Sequence, residues 1–149
     1  MKKTISLFLA LIFLACSVSP AIAEPQALPE PSPISGVIFG DNTLIVISAV
    51  DYEPPNIDQT LGLFTGFPSL GFIAHSYLAG DHIRTMYIGE IITLIYSNGA
   101  TAQYEVYVIG STPSTMTMGQ IYYQPHEIVF QTCMDDDLRF IVKAKPVKK

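Results

Sequence analysis

Three residues of the types used in nucleophilic catalysis lie at the ends of predicted strands. His75 closes the apolar segment "GFIAH", Cys133 follows "EIVFQT", and Arg139 begins "RFIVKA". An imidazole can take the proton of a thiol, and thiolate attack on an amide forms an oxyanion that an arginine can stabilise. The product is a thioester, which water resolves in a protease and an amine resolves in a transpeptidase. The three residues are a candidate catalytic set if the fold brings these strand ends together.

Each residue of this set also has an ordinary structural explanation. A histidine at a strand end is commonly structural, Arg139 could pair with the neighbouring aspartates, and Cys133 could be a small buried hydrophobe. The aspartates also disfavour a thiolate, because like charges repel. We predict no metal site at Asp135, Asp136 and Asp137, since adjacent carboxylates on one loop point in different directions. Nothing in the sequence suggests a cofactor.

Charge and cysteine content restrict the function classes. The formal net charge is -5 and there is no basic stripe, which argues against a nucleic-acid-binding face. After residue 23, Cys133 is the only cysteine. A lone cysteine in an exported chain forms an intermolecular disulfide, packs as a small hydrophobe or serves as a reactive thiol.

The N-terminal segment predicts export. Residues 1–23 combine two lysines, an apolar run and an A-x-A cleavage pattern, as in a signal peptide. Two alternatives are lipidation at Cys16 and retention of the uncut signal as a membrane anchor. Residues 24–42 are predicted as a proline-rich spacer, or simply as a disordered mature N-terminus, and residues 43–149 as the folded domain. The protein is therefore expected outside the cell or at the cell surface.

The folded domain is predicted to consist of strands. Residues 43–50 are rich in β-branched side chains, and Asn98-Gly99 joins two strands in a hairpin. In the second hairpin strand, alternation places Tyr104, Val106 and Val108 on one face. Residues 59–63 could form one helical turn. Short strands separated by turn signals, without a long helical period, predict an all-β fold that closes into a small barrel.

The order of these elements resembles the sortase family. The matching segments are "FIAHSYLAG" around His75, "IRTMYIGEIITLIYSNG", "YEVYV", "IVFQTC" and "RFIVKA", which together span about residues 43–144. The most specific part is the Thr-Cys pair followed by an Arg-x-x-Val strand. Two departures are Ala74, where sortases usually have glycine before the histidine, and a loop of only five residues between Cys133 and Arg139.

The resemblance implies an eight-stranded β-barrel that carries a cysteine transpeptidase or peptidase site. His75, Cys133 and Arg139 match the catalytic positions, and Thr132 would flank the nucleophile and help to position substrate or oxyanion. Such an enzyme cleaves a sorting motif in secreted proteins through a thioester on the cysteine. It then transfers the acyl group to an amine of the cell wall or of a pilin. The alternative is a non-catalytic exported β-barrel that keeps the sortase fold as a binding or structural module.

Overall fold

The computed structural model describes residues 33–148. The predicted signal peptide, the two alternatives to it and residues 24–32 of the predicted spacer lie outside these residues. The described chain contains eight strands and two short helices: β1 (Ile34–Phe39), β2 (Asn42–Ser48), β3 (Thr60–Phe64), β4 (Leu70–Ala74), α1 (Ala79–Arg84), β5 (Ile91–Tyr96), β6 (Thr101–Pro113), α2 (Met118–Ile121), β7 (Ile128–Cys133) and β8 (Leu138–Pro146).

The strands close into one mixed barrel in the order β1-β2-β3-β4-β7-β8-β6-β5. Two neighbouring pairs, β2 with β3 and β4 with β7, run parallel, and the other pairs are antiparallel. The β4–β7 pair is the important one for the site, because α1, β5, β6 and α2 all lie between its two strands in sequence. This barrel confirms the predicted fold class.

Apolar side chains fill the inside of the barrel and also cover part of its outside. The interior cluster draws alternate residues from the strands and includes Val37, Leu94 and Phe130, which are fully buried. A second cluster lies on the other face of β3, β4, β7 and β8, where the segment around α2 covers it. Its buried members are Phe64, Ile73, Ile121, Tyr122, Val129 and Ile141. Since each fully buried side chain of this kind contributes about 1.5–3 kcal/mol, the α2 segment is held firmly on the outer face.

Two boundaries differ from the sequence-based predictions. Strand β1 lies within residues 24–42, so the barrel begins earlier than predicted. Residues 59–63 do not form a helical turn, because Thr60–Phe64 is a buried strand parallel to β2. The apolar runs of β1 and β3 are too short to show whether their hydrophobic residues repeat with the period of a strand or of a helix. Pairing with β2 determines the conformation of both segments.

The predicted hairpin is present, with a different turn geometry. In the Asn98-Gly99 pair, only Gly99 has a positive φ, of 83°. The side-chain oxygen of Asn98 accepts a hydrogen bond from the backbone N–H of Ala100. In β6 the register shifts between Val106 and Val108, which leaves the intervening residue as a bulge. A bulge reverses the alternation. Ile109 therefore packs against the core, and the predicted shared face ends at Val106.

Candidate active site

Strand register brings the three predicted catalytic residues to one end of the barrel. Ala74 on β4 pairs with Thr132 on β7, so His75 and Cys133 follow side by side, and Cys133 pairs with Arg139 on β8. Ala74 and Thr132 are buried in the barrel interior. Because side chains alternate along a strand and paired residues share a face, Cys133 and Arg139 lie on the outer side of the barrel. His75 is the first residue beyond β4 and is partly exposed. The candidate set therefore lies at the ends of three adjacent strands that are about 4.8 Å apart.

Cys133 and Arg139 form a non-hydrogen-bonded antiparallel pair, the kind in which the two Cα atoms lie closer together. The next pair, Met134 with Leu138, exchanges a hydrogen bond of 3.0 Å from N–H to carbonyl oxygen. Hydrogen-bonded and non-hydrogen-bonded pairs alternate, so Cys133 and Arg139 form a non-hydrogen-bonded pair, with Cα atoms about 4.5 Å apart. Cys133 is exposed and free. Its exposure removes the explanation that it is a small buried hydrophobe.

Arg139 is held by a loop carbonyl and not by the neighbouring aspartates. Its Nη1 donates to the Met116 carbonyl oxygen at 3.4 Å. Within residues 33–148 it makes no ion pair, contrary to one expectation from the sequence. Asp135 instead accepts hydrogen bonds at Oδ1 from the backbone N–H groups of Asp137 and Leu138, at 2.9 and 2.8 Å. That carboxylate builds the turn between β7 and β8.

The segment around α2, which begins near Met116, is anchored by hydrogen bonds to both β7 and β8. The Tyr122 hydroxyl donates to Gln131 Oε1 at 3.1 Å, and Lys143 Nζ donates to the Ile121 carbonyl oxygen at 2.7 Å. Burial raises the pKa of the Tyr122 phenol well above its ordinary range, with the Arg139 charge opposing that shift. The phenol therefore stays protonated at neutral pH and remains a donor. These contacts fix the loop that positions the arginine.

His75 is partly exposed and sits at the start of a tight turn. Its ring stacks on Tyr77, with centroids 5.1 Å apart and an interplanar angle of 22°. Its carbonyl oxygen accepts hydrogen bonds from the N–H groups of Leu78 and Gly80, at 3.1 and 3.0 Å. The imidazole is thus partly exposed, with one face against Tyr77, while the backbone of His75 is tied to α1.

Thr132 is 1% exposed and lies on the opposite face of β7 from Cys133. Its Oγ1 is buried without a hydrogen-bond partner among the described residues. A Cβ at Gly80 would lie only 2.2 Å from this oxygen, so α1 packs closely against it. The contact of Thr132 with substrate, implied by the resemblance, stays a prediction, and the observed contact is with α1.

One contact to the candidate nucleophile could not be found from the sequence. Arg84, the last residue of α1, donates from Nη2 to the carbonyl oxygen of Cys133. A six-residue helix carries too few turns for a periodic signal, and nothing in its spacing links it to a strand far along the chain.

A metal-binding cluster and a membrane-spanning helix are both absent from the described residues. In residues 33–148, no group of three or more His, Cys, Asp or Glu side chains is placed to hold a metal ion. The same residues include no helix with the length and apolar character needed to cross a bilayer.

Comparison with known structures identifies the fold. The sequence matches no protein-family model and no curated protein. The structure is similar to sortase A from Corynebacterium diphtheriae, with a TM-score of 0.63 and 20% identity over 79% of this chain and 62% of that one. It is also similar to Streptococcus pneumoniae sortase C, with a TM-score of 0.61 and 18% identity over 78% and 68% of the two chains. A third similar structure is the Clostridium perfringens sortase D5 transpeptidase, with a TM-score of 0.58 and 19% identity over 77% of this chain and 79% of that one.

These similarities define a sortase-like fold. The described chain closes the eight-stranded barrel that this class uses, and sortases of types A, C and D are all among the similar structures. The chain spans less than two thirds of the sortase A chain that it matches. At identities of 14–20% the shared property is the fold.

Proposed function

We propose that this protein is a sortase-type cysteine transpeptidase whose nucleophile is Cys133. The observation that carries the proposal is the strand register: Cys133 pairs with Arg139, and His75 directly follows Ala74, the β4 residue that pairs with Thr132. A histidine that is far away in sequence thus lies at the same end of the barrel as the cysteine and the arginine. A purely structural role for each residue would not require this common location.

The proposed reaction has two acyl-transfer steps. His75 accepts the thiol proton of Cys133, and the thiolate attacks the carbonyl carbon of a peptide bond. The resulting oxyanion takes hydrogen bonds from the Arg139 guanidinium, which has five N–H donors and uses one on the Met116 carbonyl. The C–N bond breaks, the leaving amine takes the proton from the imidazolium, and a thioester remains. An incoming amine loses a proton to the imidazole, attacks the thioester and releases the thiolate.

The proposed substrates are those that the resemblance to sortases implies. The donor is a secreted protein that carries a C-terminal sorting motif, and the acceptor is an amine of the cell wall or of a pilin. Water in place of the amine would give peptidase activity. This role places the protein outside the cell or at its surface, in agreement with the predicted export signal and possible association with the membrane through residues 1–23.

Trapping of the thioester tests the proposal directly. The purified chain is incubated with a library of extended peptides, with and without amine acceptors such as triglycine, and intact-mass spectrometry follows the protein. We expect an acyl adduct localised to Cys133, its discharge by added amine, and a new peptide–amine product. Cys133→Ala is the matched control, because it removes only the sulfur.

The variants separate an enzyme from a binding module. His75→Ala should slow adduct formation without changing the fold, because the ring is at the surface. If Cys133→Ala still cleaves or joins peptides, the nucleophile is misassigned. If the unchanged chain binds peptides from the library and no adduct or product forms, the non-catalytic module is the correct function.

A further inference from the structure

The carbonyl group of Cys133 lies just beyond the end of the β4–β7 ladder. The hydrogen bond from Met134 to Leu138 means that the polar backbone groups of Cys133 point away from β8 and toward β4. Strand β4 ends at Ala74, so the ladder has no further strand residue opposite this carbonyl. Arg84 takes the place of the missing strand partner by donating from Nη2 to this oxygen.

Arg84 is well placed to hold this carbonyl in one position. Its side chain is 35% exposed, and its Nη1 lies 3.7 Å from Asp81 Oδ1, one turn earlier in α1. That ion pair is exposed, so it guides the side chain and contributes little energy. A hydrogen bond from a charged donor is shorter and stronger than one between neutral groups. The bond to Cys133 is therefore the dominant contact of the guanidinium.

The same helix is tied to the other end of the candidate pair. The carbonyl oxygen of His75 accepts hydrogen bonds from the N–H groups of Leu78 and Gly80, which lead into α1. The first turn of α1 thus holds the backbone of His75, and its last residue, Arg84, holds the backbone of Cys133. No ladder bond spans this gap directly beyond the end of β4, so α1 connects the two residues.

We propose that Arg84 is a positioning residue that fixes the end of β7 so that the thiol faces His75. This inference rests on the proposed function, in which His75 activates Cys133. Without the Arg84 bond, the terminal residue of β7 has an unpaired carbonyl and can rotate toward water. The thiol then remains exposed but loses its fixed relation to the imidazole.

A comparison of alkylation rates tests this role without a known substrate. Iodoacetamide labelling of Cys133 is measured across pH in the unchanged chain, in His75→Ala, in Arg84→Met and in the double variant. Arg84→Met keeps the long apolar stem and removes the donors. We expect His75→Ala to slow labelling at least about tenfold in the unchanged chain and less than about threefold beside Arg84→Met. Arg84→Lys, which retains a positively charged donor group, should restore most of the His75 dependence.

Matched controls separate positioning from stability. Lys145→Met makes the same change of a cation to methionine on an exposed part of β8, and it should leave the His75 dependence unchanged. Thermal unfolding of all variants is measured in parallel. An undiminished effect of His75→Ala beside Arg84→Met overturns the positioning role. No effect of His75→Ala in the unchanged chain overturns the proposed function instead, so the two failures are distinct.

Discussion

Gly80, the second residue of α1, packs against the ends of β4 and β7 where no side chain fits. A Cβ at this position would lie 2.2 Å from Thr132 Oγ1 and 2.5 Å from the His75 carbonyl oxygen. Comfortable contacts begin near ~3.5 Å. Neither neighbour can move away easily, because one is a buried β-branched side chain and the other is backbone. Gly80→Ala therefore forces α1 to retreat by roughly 1 Å.

The magnitude follows from two opposing effects. Overpacking costs about 1–3 kcal/mol, and alanine gains up to about 1 kcal/mol over glycine inside a helix. The net loss should be about 1–2 kcal/mol, which lowers the thermal midpoint of a domain of this size by roughly 4–8 °C. Peptide acylation should fall further, by about a hundredfold, because a misplacement of 1 Å can cost that much in rate.

Thermal and urea unfolding measure the stability change, and single-turnover acylation or iodoacetamide labelling measures the reactivity of Cys133. The matched control is Gly119→Ala in α2, where an added Cβ meets nothing within 4 Å. That change should be neutral or slightly stabilising. If Gly80→Ala is as stable and as reactive as Gly119→Ala, the close packing of α1 on the strand ends is not a constraint on the site.

Three further changes test other contacts. Arg139→Lys should lower acylation by about 10²–10³-fold with little loss of stability, because an ammonium does not reproduce the guanidinium fork; near-normal turnover would remove Arg139 from the mechanism. Thr132→Val replaces a buried hydroxyl that has no hydrogen-bond partner among residues 33–148, so urea unfolding should show equal or up to about 1 kcal/mol higher stability. A clear loss of stability would instead reveal a partner of this hydroxyl. Because the pKa of Tyr122 is raised in the folded state, its contribution to stability is complete below its unfolded value of 10.0 and falls as the pH rises further. Tyr122→Phe removes the hydroxyl and its bond to Gln131, so the free energy of unfolding should fall less steeply with pH above 10.0 than in the unchanged chain. An unchanged pH dependence would contradict the raised pKa of Tyr122.

The sequence predicts the strands of the site better than their neighbours. The candidate residues His75, Cys133 and Arg139 stand out in the sequence because each lies at the end of a short apolar run, and local composition marks such runs. The parallel pairing of β4 with β7 cannot be found this way, because two strands and both helices lie between them in sequence. The bulge in β6 is invisible for a similar reason, since an extra residue looks the same as an ordinary one until its partner strand is known.

Residues that act through backbone groups leave even less trace in the sequence. Arg84 reaches a carbonyl, and every residue has one, so no side-chain pattern indicates the partner. The same holds for Arg139, whose acceptor is the carbonyl of Met116 on a loop that is fixed by the packing of Tyr122. The sequence thus indicates which side chains can do chemistry, and the packing of α1 and α2 determines how they are held.

The aspartates beside the thiol have a physical explanation in the turn that they form. Asp135 directs Oδ1 at two backbone N–H groups, one of them the N–H of Leu138, where β8 begins. Hydrogen bonds of this kind satisfy the carboxylate locally and favour a compact turn. Because the turn is compact, β8 runs antiparallel to β7 directly after it, and Arg139 can therefore pair with Cys133. Asp135 disfavours a thiolate by its charge, and it is also part of the turn that pairs Arg139 with Cys133.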